Sequence, residues 1–462
     1  MRMGRSSRTV VGVDIGRHTI KAAQLQVTGG QCRTDALLLL PRPQPDQEIG
    51  AADALAIQKI LNRQGFSGNR IAIAAPEQKL LRTTLEVPAK VSGESAAQIV
   101  RMELSRLHNV APDSFEMAYW ELKDANNPRP MTQTLAVGCP HEAANALLDV
   151  FEDARFRVVA LDLRSAAVTR ACRPLLLPSP QITAIVDLGW RSTSVLFVCG
   201  RSLIYERSVQ GAPIGELTVR LTETFAIPPA SAYQIIGTIG PGMEELTGQF
   251  DRESLEAIRK HMRAHFDQLL EELRVPLSYA NHQFGGEGVK RLLLIGGGAA
   301  VPALASYFEA RLGIEVKRAA PSDLVESSPE LASRASNPAL TCAVGLAQSR
   351  EPDDERCESD PGRTAGGKTP KSSTVSVGDG LRGVCLHDRR RFVDISRGPR
   401  RREPQANGAT GGRRQADRAG QSDDAGPSPP FGGNHDGIGD DQGDPRPARL
   451  EQAAHRTICS AR

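Results

Sequence analysis

Apolar residues along the chain fall into two kinds of run. Dense aliphatic runs at 10–14, 20–27 and 36–40 predict a hairpin followed by a third strand. Spacings of three and four predict helices. Ala54, Leu55, Ile57, Ile60 and Leu61 stripe a helix over 52–61, and Leu255, Ile258, Met262, Phe266, Leu269 and Leu273 stripe the longest one, over 254–273. Pro276 is expected to end or kink it, because proline lacks the backbone N–H. Between these lie predicted strands at 71–75 and 80–87, then a helix capped by Ser92 and running to 107. Phe115, Met117 and Tyr119 alternate as a half-buried strand does, and a strand over 134–139 and a helix over 142–156 follow. These elements read as a small α/β core of about 70–160 inserted in a larger domain, either a partner-binding module or a structural elaboration. Strands at 182–186, 194–198 and 203–209 predict a second hairpin sheet. Two helices carry small residues: one after the strand at 158–161, with Ser165, Ala166 and Ala167, and one over 339–348, with Ala343 and Gly345. Small residues let helices cross closely, which suits a hinge between lobes.

Three of the strands run into glycine-bearing bends. Val11-Gly12-Val13-Asp14-Ile15-Gly16 is followed by Lys21, and Ile185-Val186-Asp187-Leu188-Gly189 by Ser192, Thr193 and Ser194. Leu292-Leu293-Leu294-Ile295 runs into Gly296-Gly297-Gly298. Glycine lets the backbone approach a ligand without a Cβ, its neighbouring N–H groups can cradle anionic oxygens, and each Asp can hold Mg²⁺ through its waters. One Asp-x-Gly is an ordinary turn; two in equivalent strand-turn-strand settings can close on one polyphosphate from opposite sides.

Composition divides the chain near residue 350. The 350–462 tail is rich in Gly, Pro, Arg and Asp and poor in large apolar residues, too few to offset the entropy of ordering it, so disorder is expected. Two origins fit it: a natural linker, or a reading frame that departs from the ancestral one shortly after Gln348. A net charge of +3 over 462 residues argues against a nucleic-acid partner, and the clusters Arg389–Arg391 and Arg400–Arg402 read as solvated charge. No apolar run reaches the ~20 residues that span a bilayer, and no signal-peptide core is recognisable, which predicts a cytoplasmic protein. The eight cysteines are scattered without C-x-x-C pairs, which supports neither zinc nor a disulfide framework.

The order Asp14-x-Gly16, Asp187-x-Gly189, Gly296-Gly297-Gly298 and the helix around Gly345 resembles the actin-like ATPase superfamily. More closely, residues 9–349 resemble the PilM family of type IV pilus assembly proteins, a relative of FtsA. The resemblance implies an α/β, actin-like (ribonuclease H-like) two-lobed fold with an inserted subdomain. The first lobe would cover about 9–170, the second about 181–338, and 339–349 would return to the first. It implies ATP and Mg²⁺ in the cleft, with Asp14, Gly16, Arg17 and Lys21 at one phosphate loop and Asp187, Gly189 and Ser192 or Thr193 at the other. Gly296, Gly297 and Gly298 would pass beside the nucleoside, and Asp14 and Asp187 would hold the metal. It also implies a cytoplasmic scaffold, peripheral at the inner membrane, that binds a PilN-like partner through that partner's short N-terminal segment. Other pilus assembly proteins and a second copy of the chain are further expected partners.

Departures from the family pattern sit at the same loops. Arg17 and His18 stand where Ser, Gly or Thr is usual; Arg17 would contact phosphate or point to solvent, and His18 reads as an exposed turn residue. The stretch Ser231-Ala232-Tyr233-Gln234-Ile235-Ile236 lacks the acidic residue and Lys expected toward a nucleoside. No side chain is read as a base for an attacking water, and Asp162 reads as structural, so hydrolysis is expected to be weak or absent. Two alternatives remain. An FtsA-like division protein would end in an amphipathic membrane helix, and an actin-fold small-molecule kinase would place a carboxylate base against a sugar pocket.

Overall fold

The structure is a computed structural model that describes residues 6–122, 131–209, 211–242, 251–284 and 288–349; the tail expected at 350–462 lies outside them. The chain begins as an antiparallel meander of β1 (Ser7–Arg8), β2 (Val11–Ile15), β3 (Thr19–Thr28) and β4 (Gln31–Pro41). Gly29 and Gly30, both at positive φ, make the tight β3–β4 turn. Helix α1 (Ala51–Leu61) then crosses over to β5 (Arg70–Ala74), which pairs parallel with β2. Asp53 fixes that crossover: its carboxylate accepts from the Gly50 N–H at the helix start and from Arg42, with Nη2 at 2.6 Å and Nε at 3.0 Å.

A separate three-stranded sheet follows, in the order β6 (Leu81–Pro88), β8 (Met131–Pro140), β7 (Phe115–Glu121), with α2 (Gly93–His108) packed on it around Val100, Leu104 and Phe115. Ser92 stands at the N-cap of α2, but its side chain makes no capping bond. The chain returns through α3 (His141–Asp153) and β9 (Arg157–Asp162) to α4 (Arg164–Ala171). The stretch read as an insertion over 70–160 therefore begins and ends in the large sheet, since β5 pairs with β2 and β9 with β5. Short apolar runs buried on both faces look alike to periodicity, so sequence does not say which sheet receives them.

The second lobe repeats the plan of the first. Strands β10 (Ile182–Leu188), β11 (Thr193–Cys199) and β12 (Ser202–Val209) form an antiparallel meander, and α5 (Ile214–Phe225), α6 (Pro229–Thr238) and α7 (Arg252–Gln283) lead to β13 (Val289–Ile295). After α8 (Leu304–Leu312), β14 (Glu315–Arg318) completes a sheet in the order β12–β11–β10–β13–β14, with β10, β13 and β14 parallel. Helix α7 runs through Pro276 instead of ending there. A proline inside a helix costs about 3 kcal/mol, but here Leu273 and Ala280 are buried on either side of it and Leu277 packs on the same core.

Beyond β14 the chain leaves the second lobe earlier than the expected boundary at 338. Helices α9 (Pro321–Leu324) and α10 (Ala332–Ala335) lie in a segment pinned to β4, where the Thr34 N–H donates to the Glu326 carbonyl and Arg334 to that of Leu37. The last helix, α11 (Thr341–Ala347), wedges between α4 and β2. A Cβ on Gly345 would lie 1.9 Å from the Ala167 carbonyl oxygen, and one on Gly12 would lie 2.1 Å from that of Ala343. Buried Arg170 locks this crossing, donating to the Gly345 carbonyl and to Asp162 at 2.5 Å.

Candidate functional site

The three bends meet at one cleft of about 940 Å³, which Asp14, Gly16, Arg17, Lys21, Asp187, Gly189, Ser192 and Gly296 to Gly298 all line. Their convergence follows from the repeated topology, because β2 and β10 hold equivalent places in the two sheets and both end at the cleft. Asp14 and Lys21 are register partners across the β2–β3 hairpin, so their side chains share a face; Lys21 Nζ lies 3.2 Å from Asp14 Oδ2. Gly16 leaves room for that ammonium, since a Cβ there would come within 2.6 Å of Nζ.

Across the cleft, Gly189 closes the second bend through its N–H to the Ser192 carbonyl, and a Cβ would collide with that oxygen at 2.6 Å. Gly296 has φ +83, and a Cβ there would lie 2.2 Å from Asp187 Oδ1, so glycine is required both by conformation and by the approach to Asp187. Thr193 is buried on the other face of β11 and does not line the cleft, whereas Ser194 does. Register explains the change, because Ser194 is the partner of Asp187 across the hairpin and strand side chains alternate.

Arg164, the first residue of α4, unites the two carboxylates. Its Nη2 donates to Asp14 Oδ1, and its Nη1 lies 3.8 Å from Asp187 Oδ2. Burial alone would raise the Asp14 pKa, but Arg164 and Lys21 outweigh it and hold the carboxyl at about 2. Burial dominates at Asp187 and pushes its pKa up, opposed by Arg164 and reinforced by Asp14. Burial works against the Arg164 charge as well, yet the facing carboxylates raise its pKa well above the ordinary guanidinium value.

The Asp14 shift has a measurable consequence. Its folded pKa lies below the usual 3.8, so it contributes stability above about pH 4 that is lost as pH falls through 2, roughly 2 kcal/mol in all. Asp187 and Glu206, both raised, act in the opposite sense and gain stability as pH falls. Urea unfolding from pH 5 to pH 2 should therefore show a steeper loss in wild type than in Asp14→Asn, and equal slopes would refute this assignment.

An aromatic cluster closes the space between the bends. His18 is not an exposed turn residue: its ring stacks on Trp190 at 4.1 Å and 15°, and Tyr233 of α6 leans on both, at 5.0 Å and 5.8 Å. Burial lowers the His18 pKa, which keeps the stacked imidazole neutral near pH 7. Arg17 lines the cleft and is half-buried, and its guanidinium donates to the carbonyls of Asp46 and Gln47. Asp46 in turn accepts from Arg191 Nε at 2.7 Å and Trp190 Nε1 at 3.4 Å, a further link across the cleft. Asp162, 0% exposed, is structural: it accepts from Arg170, from Ser349 and from the Leu163 N–H.

These side chains test the fit of a Mg²⁺-bound polyphosphate. Both carboxylates that would hold the metal already face a resident cation, and the His18–Trp190 stack spans the gap between the bends. The arrangement therefore does not fit the metal. Sequence reasoning missed Arg164 and Trp190. A bulky aromatic at the second bend, after Gly189, was the available signal for Trp190; nothing local marks Arg164.

Two lobes that each join an antiparallel meander to parallel strands, face each other over paired Asp-x-Gly bends, and are pinned by crossing small-residue helices define the actin-like class of folds. Within it, the chain matches the family described as type IV pilus assembly protein PilM over residues 12–351, so it belongs to the PilM family and to type IV pilus assembly. It is similar in structure to the PilM-PilN type IV pilus biogenesis complex, at 20% identity and TM-score 0.60, covering 73% of this chain and 97% of that one. Weaker likenesses, both at TM-score 0.41, are to ethanolamine utilization protein EutJ from Carboxydothermus hydrogenoformans and to MreB 5 of Spiroplasma citri bound to AMPPNP. The first is 15% identical, covering 74% of this chain and 89% of that one; the second is 13% identical, covering 76% and 98%. No curated protein matches the sequence. Among the described residues no helix is long and apolar enough to cross a membrane.

Proposed function

We propose that this protein is a scaffold of type IV pilus assembly that grips the short N-terminal segment of a PilN-like inner-membrane partner, and so sits on the cytoplasmic side of that membrane without spanning it. Membership of the PilM family supports the reading, as does likeness to a fold solved as a PilM-PilN complex. The observation that carries it is the shape of the cleft. From the charged bends it continues past the end of β5 to Pro140 and the Ala143, Ala146 and Leu147 side of α3. That arm is partly apolar, with Glu77, Lys79 and Glu142 along it, and it suits an extended peptide that carries both apolar and charged side chains. A nucleotide at the bends would influence this grip only through unequal affinity for open and closed lobes.

Titrating the whole protein into a labelled peptide from the start of a PilN-like partner tests the reading. Ala146 is exposed on the arm. Ala146→Arg is expected to weaken peptide binding at least tenfold, about 1.4 kcal/mol, with the unfolding midpoint unchanged. Binding by the variant as tight as by wild type would remove this arm as the site, and no binding by wild type would remove the reading.

A further inference from the structure

Mg²⁺ brings two positive charges to oxygen ligands and surrenders its waters reluctantly. Arg164 and Lys21 bring the same formal charge to Asp14 and Asp187, delivered by side chains already in place. Asp14 is 1% exposed and engages both cations. Any metal would have to displace the Arg164 hydrogen bond from a carboxylate that water hardly reaches, while desolvating itself. Arg164 also joins separate parts of the molecule: Asp14 belongs to the sheet of the first lobe, Asp187 to that of the second, and the arginine grows from α4 at the hinge. Its planar fork suits two carboxylates at once, whereas a lysine would present a point charge. The His18–Trp190 stack and the Arg191–Asp46 pair lie across the same gap, so the bridge does not act alone.

We propose that Arg164, together with Lys21, is a built-in cation standing at the position of the metal, which keeps the two lobes closed without divalent ion or nucleotide. The inference concerns lobe closure and does not depend on the partner peptide.

Manganese, a paramagnetic stand-in for Mg²⁺, gives the test, with the full-length protein titrated by electron paramagnetic resonance and its radius of gyration measured by X-ray scattering. Wild type is expected to bind Mn²⁺ only in the millimolar range or not at all, and to keep the same radius with Mg²⁺, with Mg-ATP and with EDTA. Arg164→Gln, which removes the charge and the guanidinium fork but keeps a polar side chain, is expected to show a larger radius and at least tenfold tighter Mn²⁺ binding. Arg164→Lys keeps the charge and loses the fork, so it should remain metal-insensitive with a partly opened cleft. Micromolar Mn²⁺ binding by wild type that Asp14→Asn abolishes would overturn the proposal, even if Arg164→Gln did not fold. So would a radius indifferent to Arg164→Gln.

Discussion

Replacing Arg170 with alanine is expected to lower the unfolding free energy by about 3–5 kcal/mol, measured by urea denaturation at neutral pH. The guanidinium lies between α4 and α11, donating at 3.0 and 2.8 Å to the Gly345 carbonyl and at 2.5 Å to Asp162. Its loss leaves the wholly buried carboxylate of Asp162 with the Ser349 hydroxyl and the Leu163 N–H as donors, too few to offset its desolvation, and strips the Gly345 carbonyl of a charged partner. The orphaned charge, and not the lost contact, dominates the cost. That distinction can be checked, because Arg170 Nη1 finds no acceptor among the described residues and the pair is imperfect as it stands. Asp162→Leu combined with Arg170→Met should therefore recover most of the loss, as buried ion pairs replaced by apolar residues often do. A single-variant loss below about 1 kcal/mol would show that this crossing is not held by the ion pair.

Much of this architecture was legible because its signals are local. An apolar run that ends in Asp-x-Gly marks both the strand and its bend, and the small residues of α4 and α11 mark the crossing that Gly345 and Ala167 make. What stayed hidden depends on residues distant in sequence. Arg164 meets Asp14 from 150 positions away, at a helix start that carries no distinguishing neighbour. His18 is a plain turn residue until the second lobe places Trp190 over it. The exchange of Thr193 for Ser194 could have been found by counting across the β10–β11 hairpin from Asp187, since the strand period was already evident. Pro276 does not end the helix for an energetic reason: the apolar stripe resumes at Leu277 and Ala280, and its burial outweighs one lost backbone bond.

The second large effect is expected from the smallest side-chain change at the hinge. Gly345→Ala adds a methyl group whose carbon would stand 1.9 Å from the Ala167 carbonyl oxygen and 2.5 Å from its carbon. Alanine favours a helix over glycine by about 1 kcal/mol, so helix propensity alone would make the change stabilising. Overpacking of a filled core costs about 1–3 kcal/mol or more, and the upper end applies because the obstacle is backbone of another helix, which no rotamer change can move. A net loss of about 2 kcal/mol or more is expected on thermal or urea unfolding. Gly237 in α6 supplies the internal control: a Cβ there meets nothing within 4 Å and its φ is ordinary, so Gly237→Ala should gain about 0.5–1 kcal/mol. Opposite signs at two helical glycines cannot come from propensity and must come from the crossing. The consequence reaches the cleft, since α4 carries both Ala167 and Arg164. Pushing α4 away from α11 withdraws the guanidinium from Asp14, and Gly345→Ala should therefore open the lobes in X-ray scattering in the same direction as Arg164→Gln. A Gly345→Ala protein as stable as wild type would mean that the two helices can slide apart freely, and the hinge would then have to lie elsewhere.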